Sequence, residues 1–159
     1  MAFLDFFRRD LKANNAKPCD RVFWLFLFLR GAQHARFAAL RVLCKVGKKL
    51  VLAGTCCELP AAALVGGGIY LPHLNGIVVS PYARIGDDVQ ILQQVTLGVD
   101  FDKDPYAAPQ VRSGALLGAG AKVIGGVVIG DCCKVGANAV VPRDVPAGKT
   151  VVGANKILG

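Results

Sequence analysis

Val111-Arg-Ser-Gly-Ala-Leu116, Leu117-Gly-Ala-Gly-Ala-Lys122, Val123-Ile-Gly-Gly-Val-Val128, Ile129-Gly-Asp-Cys-Cys-Lys134, Val135-Gly-Ala-Asn-Ala-Val140, Val141-Pro-Arg-Asp-Val-Pro146: cut into sixes, this stretch repeats one pattern. The first place is aliphatic in every six (Val111, Leu117, Val123, Ile129, Val135, Val141). The fifth is small or β-branched (Ala115, Ala121, Val127, Cys133, Ala139, Val145). A period of six matches neither the 3.6 of a helix nor the 2 of an ordinary strand. It marks a stacked-repeat architecture, and at this length a parallel β-helix. Each six makes one short flat face and one corner. The first residue points inward, the fifth fills the tight space at the corner, and Gly or Asn eases the turn.

Worked outward, the period extends upstream. Ile85-Gly-Asp-Asp-Val-Gln90 is another six, and counting back from it puts first places at Val79 and His73, counting forward at Ile91 and Leu97. Fifth places upstream are Leu71, Ile77, Ala83, Val89 and Val95. The two blocks are out of phase, because Leu97 to Val111 is 14 residues, two sixes plus two. The polar, proline-bearing stretch within residues 99–110 is therefore expected to loop out of the coil, where a rigid solenoid would place substrate contacts.

Ahead of the repeat, residues 1–57 read as a helical segment, and residues 58–159 as the β-helix domain. Pro18 and Asp20 suggest a break and a helix start, after which Val-Phe-Trp-Leu-Phe-Leu-Phe-Leu (22–29) runs between Arg21 and Arg30. A second basic, amphipathic stretch follows through Leu40, Leu43, Val46 and Leu50, with Gly54 as its stop. Eleven basic against three acidic residues lie before Glu58, and from Glu58 onward there are eight of each, so the whole net charge of +8 sits on this segment. Two readings of it compete. In one, the apolar faces pack on the β-helix or between subunits; in the other, they lie on an anionic membrane with Arg and Lys at the headgroups. No apolar run approaches the roughly 18 residues of a spanning helix, and no small-residue cleavage site marks a signal peptide. The expected location is the cytoplasm, with possible contact at the inner face of its membrane. No helix-turn-helix or interleaved basic-aromatic pattern points to nucleic acid.

Several motifs fail. Gly148-Lys149-Thr150 lacks a P-loop's first glycine, since Arg143 stands there. Asp100, Asp102 and Asp104 have calcium-loop spacing, but Pro105 replaces the needed glycine. The six cysteines have no zinc spacing, Cys56-Cys57 and Cys132-Cys133 being adjacent pairs, so no metal is expected and the thiols read as structural ones in a reducing compartment. His73 stands out instead. It takes a place where its block has aliphatic residues, and only His34 shares its chemistry. A neutral imidazole can remove a hydroxyl proton, an effect of about 10²–10⁴ in rate. Glu58, 15 residues upstream, is near the roughly 18 residues of one three-sided coil and is the candidate to orient it.

Gly68-Ile-Tyr-Leu-Pro-His-Leu-Asn-Gly-Ile-Val-Val-Ser-Pro-Tyr-Ala-Arg-Ile-Gly-Asp-Asp-Val-Gln-Ile-Leu-Gln-Gln-Val-Thr-Leu-Gly98 resembles the signature of serine acetyltransferases. The likeness continues through Gly118-Ala-Gly-Ala-Lys122 to Val151-Val-Gly-Ala154. The resemblance implies a mainly β fold, a left-handed parallel β-helix of hexapeptide repeats, assembled as a homotrimer or a dimer of trimers. It also implies acetyl transfer from acetyl-CoA to a hydroxyl. His73 matches the family's catalytic base and Glu58 the place of the aspartate paired with it. Gly118, Ala119, Lys134 and Ala137 match the acetyl-CoA groove. Gln93, Gln94 and Tyr106 are the candidate acceptor contacts.

The sequence departs from the cysteine-pathway enzymes at several points. Pro72 stands where they carry aspartate, and Ala107-Ala108-Pro109 where they carry Arg-His-Pro. A much shorter helical segment than theirs, and no docking tail, are also expected. On these grounds the chain is expected to be closest to the short O-acetyltransferases of exopolysaccharide and capsule loci, the colanic-acid type, with a sugar hydroxyl as acceptor. The alternatives are a serine O-acetyltransferase of cysteine biosynthesis and a non-catalytic trimeric scaffold.

Overall fold

The structure is a computed structural model and describes residues 2–153. Ala154, which closes the last resembling motif, and the end of the expected 58–159 domain lie outside the described residues. Three helices come first: α1 (Ala2–Asn14), α2 (Arg21–His34) and α3 (Ala38–Leu52). Asp20 stands at the N-cap place of α2, but its carboxylate accepts the Lys17 N–H (2.7 Å) rather than capping the helix. Gly54, at φ +78°, reverses the chain after α3, a conformation open to glycine at little cost.

The Val22–Leu29 run is apolar around most of α2, and such a helix is stable only when buried. Leu25, Phe26 and Leu29 are fully buried and join the same core as the β-helix. This run packs, and its candidacy as a membrane-surface stretch falls with its burial. Polar groups then fix how the helices dock. Arg30 and Asp10 form a fully buried ion pair (Nε to Oδ2, 2.8 Å). Arg30 also donates to the carbonyl of Val65 (2.7 Å) and to that of Gly66. Asp10 accepts the Ile69 N–H (3.0 Å), and Asn14 donates to the Ile69 carbonyl (2.7 Å) while accepting the Leu71 N–H (2.7 Å). Those backbone groups belong to the first coil, whose open end the helices cover in place of a capping repeat. Burial pushes the Asp10 carboxyl above the usual carboxylate range, against the opposing pull of Arg30.

From Glu58 onward the chain winds around three parallel faces. The first holds β1 (Leu64–Val65), β3 (Arg84–Ile85), β6 (Gln110–Val111) and β9 (Val128–Ile129). The second holds β4 (Gln90–Ile91), β7 (Leu116–Leu117), β10 (Lys134–Val135) and β12 (Thr150–Val151). The third holds β2 (Val78–Val79), β5 (Thr96–Gly98), β8 (Lys122–Ile124) and β11 (Val140–Val141). First-place residues form the core: Ile91, Leu117 and Val135 stack on one face, and Leu97, Val123 and Val141 on the next. The corners are made at the fourth place of the six, where Asp88, Gln94, Gly114, Gly120, Cys132 and Asn138 all have positive φ.

Register corrects the count in two places. Tyr70 pairs with Gln90 and Val78 with Thr96, so the first interval is two residues longer than the second. Leu71 therefore takes the inward first place, and His73, expected there, lies exposed in a bulge between Pro72 and Gly76. Near the other end the turn is short: Val145 pairs with Ile129 and so fills a first place, not a fifth. The extruded loop lies where the phase break put it. Arg84 pairs with Gln110, 26 positions on, whereas Gln110 pairs with Val128, 18 on, leaving eight extra residues between β5 and β6.

Candidate active site

One edge of the prism, between its second and third faces, gathers most of the candidate residues. Backbone bonds stack it coil upon coil. Gly76 N–H donates to Thr55 (2.8 Å), Gln94 N–H to Asn75 (2.8 Å), Gly120 N–H to Gln93 (2.9 Å) and Asn138 N–H to Ala119 (2.8 Å). His73, Gln93, Gln94, Gly118, Ala119 and Ala137 thus share a single edge, although up to 64 positions separate them in sequence. Gly118 is required there, because a Cβ would stand 2.7 Å from the Ala137 nitrogen and 2.7 Å from the Val135 carbonyl oxygen. Small residues leave this edge open to an extended ligand. Lys134 stands exposed beside it on β10.

His73 opens into a hollow of about 930 Å³ where the helical segment meets the β-helix. The coil supplies Tyr70, Asn75 and Gln93; the connection between α1 and α2 supplies Asn14, Asp20 and Arg21. Sequence reasoning missed Asn14, Asp20 and Arg21. The signal available was weak: the polar turn Asn14–Arg21, whose fold-back onto the first coil is set by the buried Asp10–Arg30 pair.

Two candidates lie elsewhere. Glu58 bridges to Val78 on the outward side of the third face, and it lines a second hollow with Lys45, Lys48 and Lys49. Burial, and then Lys45, push the Lys48 ammonium below its ordinary range. The expectation that Glu58 sits a coil below His73 is corrected by the register. The bulge lengthens that coil to 20 residues (Glu58 to Val78), so Thr55 underlies the His73 turn. Among the described residues no hydrogen bond or ion pair joins Glu58 to His73. Tyr106 lies in the extruded loop, at the edge between the third and first faces, its ring 5.4 Å from that of Tyr82 in an edge-on contact. The loop is closed by an Asp100–Asp104 bridge and a Lys103–Asp100 ion pair (3.0 Å). Within one chain, then, Tyr106 and His73 occupy different edges.

Residues 108–143 match the family model described as bacterial transferase hexapeptide (six repeats). The serine acetyltransferase of Salmonella typhimurium is 44% identical over 96 residues, covering 60% of this chain and 35% of that protein. That of Helicobacter pylori is 41% identical over 97 residues, covering 61% and 57%. The solved structure of soybean serine acetyltransferase complexed with serine is 30% identical, with a TM-score of 0.78 over 97% of this chain and 68% of that one. The chain belongs to the hexapeptide-repeat acyltransferases.

As a member of that family its coil is a left-handed parallel β-helix, against the usual right-handed crossover. It spans about a third to just over half of the length of the curated relatives it matches, 35% and 57% for those two. The expected kinship with exopolysaccharide enzymes, and with it the sugar acceptor, is overturned by these relatives, which are serine acetyltransferases. Pro72 and Ala108 replace two residues of the family pattern, and two replacements do not amount to the loss of a whole acceptor site. The hollow beside His73 draws part of its wall from the helical segment, where no motif signalled it.

Proposed function

We propose that this chain is an acetyl-CoA-dependent serine O-acetyltransferase. The observation that carries the proposal is the shared edge, where an exposed imidazole meets a run of small residues leading away from it. Acetyl-CoA lies along Gly118, Ala119 and Ala137 with Lys134 at its side. The acceptor occupies the hollow beside His73, Gln93 and Gln94. There Asp20 and Arg21 offer one anion and one cation, a pairing that suits the ammonium and carboxylate of a free amino acid better than a neutral sugar.

The chemistry follows from those places. His73 takes the hydroxyl proton of serine as that oxygen attacks the thioester carbonyl. The tetrahedral intermediate collapses, the C–S bond breaks, and the imidazolium returns the proton to the departing CoA sulfur. With no bond to His73 in the single chain, Glu58 is assigned only an electrostatic role towards the imidazolium, which Glu58→Gln tests through kcat. No metal enters the scheme.

The working form proposed is a homotrimer, alone or paired as a dimer of trimers, because the loop of Tyr106 reaches the edge of His73 only from a neighbouring copy. Its proposed place is the cytoplasm, where its free cysteines stay reduced. Among the described residues no helix is long and apolar enough to cross a membrane. Peripheral membrane contact rests on α3 alone, where Leu40, Leu43, Val46 and Leu50 are exposed beside Arg41, Lys45 and Lys49. Co-sedimentation with anionic vesicles tests it.

The deciding experiment is CoA release with L-serine, comparing the parent with His73→Ala. A loss of about a hundredfold or more, with acetyl-CoA binding retained, is expected. Near-parent turnover removes His73 from the chemistry. The absence of acetyl-CoA binding in the parent would favour the scaffold alternative.

A further inference from the structure

We infer that Lys122 is a positioning residue for His73, holding the turn that carries the base through a chain of three hydrogen bonds. Lys122 lies on the outward side of β8, where a lysine would ordinarily extend into solvent. Its ammonium folds back over the edge and donates to the carbonyls of Gln94 (2.7 Å) and Gly120 (2.9 Å). The Gln94 N–H donates to the Asn75 carbonyl (2.8 Å), and the Asn75 N–H to the His73 carbonyl (3.1 Å). The carbonyl that accepts and the N–H that donates at Gln94, and again at Asn75, belong to successive peptide groups, so the chain acts by fixing backbone position, from the cation to the base's own residue. A charged donor at its head makes the first link the strongest.

The bulge needs such a hold. Its two extra residues take His73 out of the strand ladder, where no neighbouring coil pairs with it. Gln94, to which the relay is anchored, is a residue with a side chain at φ +60°. The strap is not a general need of the fold. In the same outward column β8 pairs with Thr96 below and Val140 above, neither of them cationic, and the next coil's corner at Asn138 stands without a lysine strap. The charge occurs at the coil that supports the base.

A base displaced by a fraction of an ångström loses rate before it loses fold or donor binding. The inference rests on His73 being the base, and the experiment separates the two claims. Lys122→Met, Lys122→Arg and His73→Ala are compared for kcat, for the KM of each substrate, for thermal midpoint, and for amide hydrogen exchange at Asn75 and Gln94. Lys122→Met is expected to lower kcat about tenfold or more, leave the KM for acetyl-CoA and the thermal midpoint near those of the parent, and speed exchange at both amides. Lys122→Arg, which keeps the charge and the donors, restores most of the rate. Parent-like exchange in Lys122→Met overturns the inference whatever the rate does. A fall in kcat that only tracks a lowered thermal midpoint also overturns it. If His73→Ala keeps turnover, the base assignment fails, while the exchange data still decide whether Lys122 holds the turn.

Discussion

His73 owes its exposure to two residues. The period of six counted back from Val79 would put it in the inward place under Ile91 that Leu71 takes instead, and an imidazole there would have no solvent, substrate or partner. The bulge places His73 at an exposed position instead of a core one, in a turn that must be held by other means. Arg21 poses the complementary question at this scale, since it faces the same hollow and makes no side-chain hydrogen bond or ion pair among those of the described residues. Arg21→Ala should raise the KM for serine about tenfold or more, the order expected on losing one charged hydrogen bond, with the KM for acetyl-CoA unchanged. Steady-state kinetics with each substrate varied in turn would check this, and equal effects on both constants would remove Arg21 from the acceptor site.

At the scale of elements, the helical segment is joined to the coil more by polar geometry than by shape alone. Asp10, Asn14 and Arg30 satisfy backbone groups of Val65, Gly66, Ile69 and Leu71 that no strand pairs. A buried pair of this kind is weak as a source of net stability but costly to break from one side. Asp10→Asn leaves Arg30 charged and buried without its counter-ion, and should destabilise the fold by about 3–5 kcal/mol, read as a fall in the urea midpoint. The pH dependence has a definite sign. Because the folded carboxyl lies above its unfolded value, the Asp10 contribution is greatest below the ordinary carboxylate range and declines as pH rises through the folded value. The pair therefore sets docking register rather than supplying stability at neutral pH.

At the scale of the whole molecule, the proposed trimer has a geometric consequence, because His73 lies on one edge of the prism and the Tyr106 loop on another. A head-to-tail contact repeated three times would bring the loop of each copy to the proposed base of the next. A mixture tests this. Chains carrying His73→Ala, and chains whose loop is shortened to a plain six-residue coil, should each be inactive alone. Refolded or expressed together, they should regain turnover, because some interfaces then pair an intact base with an intact loop. Mixed trimers without activity, or a loop-shortened chain that is active by itself, would exclude the shared site.

The sequence alone carried the architecture because a β-helix is local. Each six contains its own inward residue, corner filler and turn residue, so the period from Val79 to Val141 could be read without knowing any contact, and the eight-residue loop showed as a break in phase. The small residues proposed for the acetyl-CoA groove came from the family resemblance instead, since the period marks Gly118, Ala119 and Ala137 only as corner positions. Only the tertiary structure decided what depends on stacking. Inserting two residues in a coil changes which position lies above which, and so moved His73 outward and left Thr55, not Glu58, beneath its turn. It also decided that Val22–Leu29 is core, because an apolar run is equally suited to lipid or to protein until the buried Asp10–Arg30 pair fixes the helices against the first coil.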